Sequence, residues 1–334
     1  MRIPFTKMVG TGNDFIVVDA RLRRLRPLTA RWRAVSCALC DRRLGVGADG
    51  LLVLEPSRLA AVKMRVFNPD GSEAKMCGNG ARCVARYVTD EGASQANPVT
   101  IETRAGVLAA CVRGERVSMQ MPDPIVHHLN LPIGIGARRF RVGVVDTGVP
   151  HAVVTADALD EVDVIRTGRA LRFHRRFAPR GTNVDFVQAD AARPGRLRVR
   201  TYERGVEGET PACGTGVTAS AVVHALSGAL NGQSRRRRIE VEARSHDVLV
   251  VSLTVVWDGR MRRVPRLRSG RVPERSRTGR VTNVVLEGAA HRVFEGTVDC
   301  PPHLPHRQRR SSRLRGRRFA AERQVGGWPP RRNP

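Results

Sequence analysis

Two short segments of this chain place a thiol at a glycine-bracketed helix start. Glu73-Ala74-Lys75-Met76-Cys77-Gly78-Asn79-Gly80 and Glu209-Thr210-Pro211-Ala212-Cys213-Gly214-Thr215-Gly216 share a Glu four residues before Cys and a Gly-x-Gly directly after it. Inverting a Cα centre needs a base on one face and an acid on the other. Two thiols can supply both, one as thiolate and one as thiol, exchanging roles with the hand of the substrate. A free Cys titrates near about 8.5, and a helix N-terminus is expected to lower that value. The glycines let backbone N–H groups approach a carboxylate, and two helix N-termini would hold it while charge grows on the carbon. Either motif alone reads better as a buried structural cysteine. Two in matched context point to an acid/base pair.

The surrounding pattern says what positions them. Strands are expected at 3–9 and 15–19 around Gly10-Thr11-Gly12-Asn13-Asp14, then a helix over 28–42. A glycine-rich loop at 43–50 leads to strands at 51–55 and 62–68, the turn Pro69-Asp70-Gly71, and a helix over 77–89. Strands at 99–103, 107–112 and 116–120 run to Met121-Pro122-Asp123-Pro124, a candidate boundary. The second half repeats the plan. Strands at 140–146 and 151–154 flank Thr147-Gly148-Val149-Pro150, strands at 184–189 and 196–204 follow, and a helix is expected over 213–230. Strands at 239–242, 248–256 and 282–287 close the pattern. A chain duplicated in this way can pack its halves about a pseudo-two-fold axis, with both helix starts facing one cleft.

The length of 334 residues suits two domains, and 41% hydrophobic residues can fill globular interiors. No apolar run reaches the roughly 18 residues that span a bilayer, and the first residues lack a secretory pattern. A cytoplasmic location without membrane contact is expected. Seven cysteines at irregular spacing argue against a disulfide framework. Cys37-x-x-Cys40 lacks a second pair to complete a metal site, so both are expected as core cysteines on a helix, and no metal is expected. The net charge of +27 is almost wholly arginine, since Lys7, Lys63 and Lys75 are the only lysines. Residues 257–334 hold 20 Arg against 6 acidic residues, far from the thiol motifs. The insert at 259–280 is expected as an exposed loop and the tail at 301–334 as disordered. Compositional bias accounts for that charge better than nucleic-acid contact by the tail. With 4% aromatic residues, stacking platforms for bases are scarce.

The ordered motifs resemble those of the diaminopimelate epimerase family. They are 7–15 (KMVGTGNDF), 45–50 (GVGADG), 67–72 (FNPDGS), 76–83 (MCGNGARC), 181–184 (GTNV), 202–205 (YERG), 212–216 (ACGTG), 286–290 (LEGAA) and 293–296 (VFEG). The resemblance spans 3 to about 299. It implies cofactor-independent interconversion of LL- and meso-diaminopimelate, without pyridoxal, in lysine and cell-wall synthesis. The implied fold is α/β, two pseudo-symmetric domains, each a β-barrel-like sheet around a central helix. The domains would comprise 1–123 with about 286–300, and 124–285. The resemblance also implies a homodimer.

It carries the acid/base roles onto Cys77 and Cys213. It places the backbone amides of Gly78, Asn79, Gly214 and Thr215 on the reacting carboxylate. Asn13, Asn68, Asn183, Glu203 and Arg204 would meet the far end of the substrate. That end carries a carboxylate, which Arg204 can fork, and an ammonium, which Glu203 can bind. Taken singly, each Asn reads as a turn residue. His151 is an accessory candidate, or equally a satisfied core histidine. One departure stands out: family members often have Asn where this chain has Val149, and Val cannot donate to a carboxylate. Two other readings remain at this stage. One is a sister enzyme such as a proline racemase, whose substrate lacks the second charged end. The other is a degenerate enzyme acting as a basic nucleic-acid-binding protein.

Overall fold

A computed structural model of the chain describes residues 1–92, 94, 96–227, 235–256 and 279–300. The tail at 301–334 and nearly all of the insert at 259–280 lie outside the described residues. The chain opens with antiparallel strands β1 (Arg2–Gly10) and β2 (Asn13–Asp19). A 3-10 turn (Arg23–Leu28) and helix α1 (Trp32–Cys40) follow. The single helix expected over 28–42 is thus shorter and preceded by a separate turn that contains Pro27. Strands β3 (Gly50–Glu55), β4 (Val62–Phe67) and the short β5 (Glu73–Ala74) lead into helix α2 (Gly78–Asp90). Strands β6 (Val99–Thr103), β7 (Gly106–Arg113) and β8 (Arg116–Gln120) complete the first plan.

Strand β9 (Ile125–Ile135) precedes β10 (Arg138–Asp146) and β11 (Pro150–Thr155). Helix α3 (Val164–Arg172), β12 (Asn183–Ala189), β13 (Arg196–Glu203) and β14 (Gly208–Thr210) then lead to helix α4 (Gly214–Ser227). Residues 228–230, expected to extend that helix, lie outside the described residues. Strands β15 (Arg235–Glu242), β16 (Val248–Val256), β17 (Arg280–Ala289) and β18 (His291–Asp299) finish the chain.

Strand pairing makes the duplication explicit. From β1 the path runs β1–β2 antiparallel, β2–β3 parallel, β3–β4 antiparallel, β4–β6 parallel, then β6–β7 and β7–β8 antiparallel. From β10 it runs β10–β11 antiparallel, β11–β12 parallel, β12–β13 antiparallel, β13–β15 parallel, then β15–β16 and β16–β17 antiparallel. The two sequences of directions are identical. Strands β8 and β17, the last of each path, join antiparallel. Strand β18 flanks β1 as β9 flanks β10. The fold is mixed α/β and dominated by sheet, as expected.

Each path curls around one helix. α4 is apolar on nearly every side, with Val217, Ala219, Ala221, Val222 and Leu226 buried, and so must sit inside its sheet. α2 buries Ala81, Cys83, Val84, Ala85 and Val88 against β-strand side chains such as Met8, Leu52 and Ile101. α1 and α3 cover the outer faces, α1 burying Trp32, Val35 and Leu39 in a separate apolar cluster. On α1 Cys40 is buried, but Cys37 is exposed, which corrects the expectation that both are core residues. Three helical residues turn the chain by about 300°, which leaves the two side chains about 60° apart, with Cys37 at the margin of the buried face.

The matched Glu residues of the two motifs are structural in this fold. Glu73 takes a two-pronged pair from Arg65 on β4, at 2.8 and 3.1 Å. Glu209 takes the same pair from Arg200 on β13, at 2.8 and 3.0 Å. Each bridge ties the strand segment that enters the helix to the strand beside it. The loop at 10–14 is anchored differently. Asp14 receives Lys7 Nζ at 2.7 Å and Arg42 Nη2 at 2.7 Å, and Lys7 also donates to the Gly47 carbonyl. Burial alone would raise the Asp14 carboxyl, but the Arg42 and Lys7 hydrogen bonds and charges outweigh it and hold it well below the carboxylate range.

Two predictions follow from these contacts. A Cβ on Gly216 would lie 2.3 Å from Asp185 Oδ1, a carboxylate held by neighbours, whereas the nearest atom to one on Gly80 is a Leu52 methyl at 2.9 Å, the end of a flexible side chain. Gly216→Ala should therefore destabilise by about 1–3 kcal/mol in urea melts, and Gly80→Ala by less. Because the Asp14 value is depressed on folding, its stabilisation is present above the unfolded value of about 3.9 and is lost as pH falls. Between pH 5 and pH 2 the thermal midpoint should fall more steeply for the wild type than for Asp14→Asn.

Candidate active site

Cys77 and Cys213 sit at the two helix starts. Cys77 caps α2, where the Gly80 N–H donates to its Sγ at 3.5 Å and the Ala81 N–H to its carbonyl at 2.9 Å. The Val217 N–H reaches the Cys213 carbonyl at 2.9 Å in the same way, and Thr215 Oγ1 lies 3.3 Å from Cys213 Sγ. The amides of Gly78, Asn79, Gly214 and Thr215 belong to the first turns, whose N–H groups have no intrahelical acceptor. The two starts are neighbours. A Cβ built on Gly214 would lie 3.9 Å from Asn79 Oδ1 and 3.1 Å from the Leu286 side chain of β17. The 10–13 turn also crosses to the other half, with Gly12, at φ +76°, pressed on Ser245 and Pro211.

Burial dominates the electrostatics of both sulfurs. It pushes the Cys77 thiol up, while the Gly80 N–H, the Arg82 charge and the Asn79 N–H pull it back. It pushes Cys213 up as well, and the Glu203 and Asp185 carboxylates add to the effect, while the Thr215 hydroxyl and Gly216 N–H oppose it. The expected lowering at a helix start is therefore present but is outweighed by desolvation in the unliganded protein. Glu203 is itself pushed up by burial. Its charge acts on both sulfurs.

His151 is fully buried, with Nδ1 2.7 Å from Asp185 Oδ2. Its Nε2 has no partner among the described residues. Asp185 also accepts from Thr201 Oγ1 at 2.8 Å. With Nδ1 turned to a carboxylate, Nδ1 carries the proton and a neutral ring presents a lone pair at Nε2.

The asparagines divide by their partners. Asn79 donates to Asn13 Oδ1 at 2.6 Å, and Asn13 donates to Asp49 Oδ2 at 2.9 Å, so these two form one chain of contacts at the Cys77 helix start. Asn183 is engaged at both ends of its amide, by the Pro150 carbonyl at 3.0 Å and the Arg204 N–H at 2.8 Å. Asn68 is exposed in its turn and donates to Ser72 Oγ at 2.9 Å. The Arg204 guanidinium makes no hydrogen bond or ion pair among the described residues. Val149 lies in a turn whose Thr147 hydroxyl reaches the Thr215 carbonyl at 3.3 Å, so the departure noted there adjoins the Cys213 motif.

The residues that sequence reasoning passed over are Arg82, Asp185, Thr201 and Thr11. A charged side chain inside the apolar run VDFVQA, and another on the buried face of α2, were the available signals. Among the described residues, no group of three or more His, Cys, Asp or Glu side chains is placed to hold a metal ion. Nor is any helix there long and apolar enough to cross a membrane. Chemically, the arrangement can hold a carboxylate on paired helix amides and present sulfur from two sides.

Comparison with known proteins agrees with this geometry. Residues 5–126 and 143–254 match the family model described as diaminopimelate epimerase, and these spans contain both cysteine motifs. The diaminopimelate epimerase of Aquifex aeolicus is 40% identical over 303 residues, covering 88% of this chain and 97% of the relative. That of Archaeoglobus fulgidus is 43% identical over 235 residues, covering 67% and 81%. Among solved structures, a probable proline racemase from Agrobacterium radiobacter K84 is similar in fold, with a TM-score of 0.61 at 19% identity over 91% of this chain and 94% of that one. The fold is thus shared with a protein named for a different substrate, and the sequence match is what separates them. The chain belongs to the diaminopimelate epimerase family.

Proposed function

We propose that this protein interconverts LL- and meso-diaminopimelate, with Cys77 and Cys213 as the base and acid on opposite faces of one Cα. The observation that carries the reading is the juxtaposition of two cysteine-led helix starts, with Gly214 against Asn79 and Glu203 acting on both sulfurs. In this reading the amides of Gly78, Asn79, Gly214 and Thr215 hold the reacting carboxylate. Its charge offsets that of the helix ends and stabilises the carbanion as it forms. Enclosure of the substrate strengthens those contacts by excluding water.

At the far end, Arg204 is free to fork the second carboxylate, and Glu203 takes the ammonium. This two-ended recognition favours diaminopimelate over proline. Asn183 acts by fixing the Arg204 backbone, Asn13 by fixing Asn79, and Asn68 by shaping its turn. His151, paired to Asp185, orders the wall beneath Cys213.

The same reading divides the chain into 1–123 with 286–300, and 124–285. The return of β18 to β1 supports that division. A homodimer in the cytoplasm completes the reading and rests on the family likeness.

In D2O the purified protein should place deuterium at Cα of diaminopimelate and not of proline; the reverse pattern would overturn the substrate assignment. Cys77→Ala and Cys213→Ala should each lose epimerisation by at least about a hundredfold, the low end of the usual contribution of one proton-transfer group. Each should retain elimination of HF from a halogenated analogue, which needs only one base. Full turnover in either variant would end the two-thiol scheme.

A further inference from the structure

The two halves superpose in strand register, so their side chains can be matched by position. Asn183 pairs with His151 across β11–β12 as Gly50 pairs with Phe15 across β2–β3. Two residues on, Asp185 corresponds to Leu52, and their partners Thr201 and Val66 correspond as well. The glycines agree: Gly216 rests on Asp185, and Gly80 rests on Leu52. Beneath Cys213 there is therefore a buried His151–Asp185–Thr201 group. Beneath Cys77 the same places hold Phe15, Leu52 and Val66, all buried.

A second difference has the opposite sign. Five residues after Cys77 stands Arg82, fully buried inside the sheet. Five residues after Cys213 stands Thr218, also fully buried, which bonds back to the Gly214 carbonyl at 2.9 Å. Arg82 Nη2 donates to Thr11 Oγ1 and to Asn79 Oδ1, each at 2.7 Å. Its Nε and Nη1 have no partner among the described residues. Gly288 of β17 leaves room for it; a Cβ there would lie 3.1 Å from Arg82 Nε. A buried cation without a carboxylate partner is costly, and a nearby anion relieves it. The charged and titratable groups acting on it are Cys83, Cys77 and Asp247. Those acting on Cys77 are Arg82 and Glu203, and those acting on Cys213 are Glu203 and Asp185. Glu203 is common to both, so the charged groups that distinguish the two thiols are Arg82 and Asp185.

We propose that Arg82 is a positioning residue that clamps Asn79 and, set against Asp185 in the other half, makes Cys77 rather than Cys213 the sulfur that carries the negative charge once one of the pair ionises. The proposal rests on the two-thiol reading above. The proton count closes: Cys77 sulfur takes the proton from Cα, Cys213 gives its own to the opposite face, and the pair returns with the charge on Cys213. The singly ionised pair is thus set for the substrate hand that presents its Cα proton to Cys77. After that turnover the proton must pass back before the same hand can react again.

The test follows carboxamidomethylation of each cysteine in the full chain by peptide mass spectrometry from pH 6 to 10, with limiting iodoacetamide and exposed Cys37 as internal reference. The pH midpoint of labelling at Cys77 should lie below that at Cys213. Arg82→Met should raise the Cys77 midpoint by about one unit, a tenfold loss of labelling rate at a fixed pH below it, and leave Cys213 unmoved. Arg82→Lys should restore most of the shift, which a purely packing role would not do. Asp185→Asn should lower the Cys213 midpoint alone, and it decides the matter if Arg82→Met does not fold by circular dichroism. Coincident midpoints in the wild type, or a Cys77 midpoint unmoved in folded Arg82→Met, would overturn the proposal. Full epimerisation by Cys77→Ala or Cys213→Ala would instead defeat the two-thiol reading and leave the labelling order standing as a separate fact.

Discussion

Desolvation of two sulfurs at adjoining helix starts is the constraint on which this molecule turns. A thiolate in a dry site is costly, and hydrogen bonds from a helix's first turn return only part of that cost. Burial wins at both cysteines in the unliganded protein. In the proposed reaction the same dryness makes the first-turn amides effective toward a carboxylate and a carbanion, because electrostatic contacts strengthen as water leaves. The fold accordingly wraps one half of its continuous sheet around each of two short helices. The surrounding charges, Arg82 and Glu203 at Cys77 and Glu203 and Asp185 at Cys213, then act on the sulfurs with little screening.

The seam between the halves is what makes one site of two. β8 and β17 join antiparallel, and Leu286 of β17 touches the Gly214 helix start. The turn at 10–13 reaches across to Pro211 and Ser245, while its own Thr11 and Asn13 hold Asn79. Thr11 sits at φ 49°, a conformation few non-glycine residues adopt, and its hydroxyl is held by Arg82. A strained turn and a buried guanidinium thus stabilise each other beside the catalytic candidate. The duplicated plan gives equal scaffolds, and individual substitutions at matched register give them unequal charge.

Much of this was legible in the linear chain. The paired Cys-Gly-x-Gly segments, the matched Glu and the ordered family motifs place both helix starts and most strands. Strand β9 escaped because Pro132 and Gly134 interrupt its alternation. Helix α3 escaped because four of its nine residues are Arg or Gly, and Gly168 is there to let Tyr202 approach; a Cβ would lie 2.6 Å from the Tyr202 Cβ. Such positions answer to a neighbour distant in sequence, and local propensity carries no record of it. The roles of Asn68 and Asn183 were underdetermined for the same reason. An asparagine beside Gly or Pro looks alike whether its amide meets Ser72, a backbone carbonyl or a ligand.

The amino-acid sequence by itself determined the repeat, a cysteine at the start of each central helix and the family, because spacing and residue type are local quantities. Only the tertiary structure decided which charges sit under which sulfur. Arg82 and Asp185 are ordinary residues within their own segments. Arg82 lies 2.7 Å from Thr11 and Asp185 2.7 Å from His151, contacts between segments distant in sequence, and Coulomb interactions depend on distance and on the water removed in reaching it.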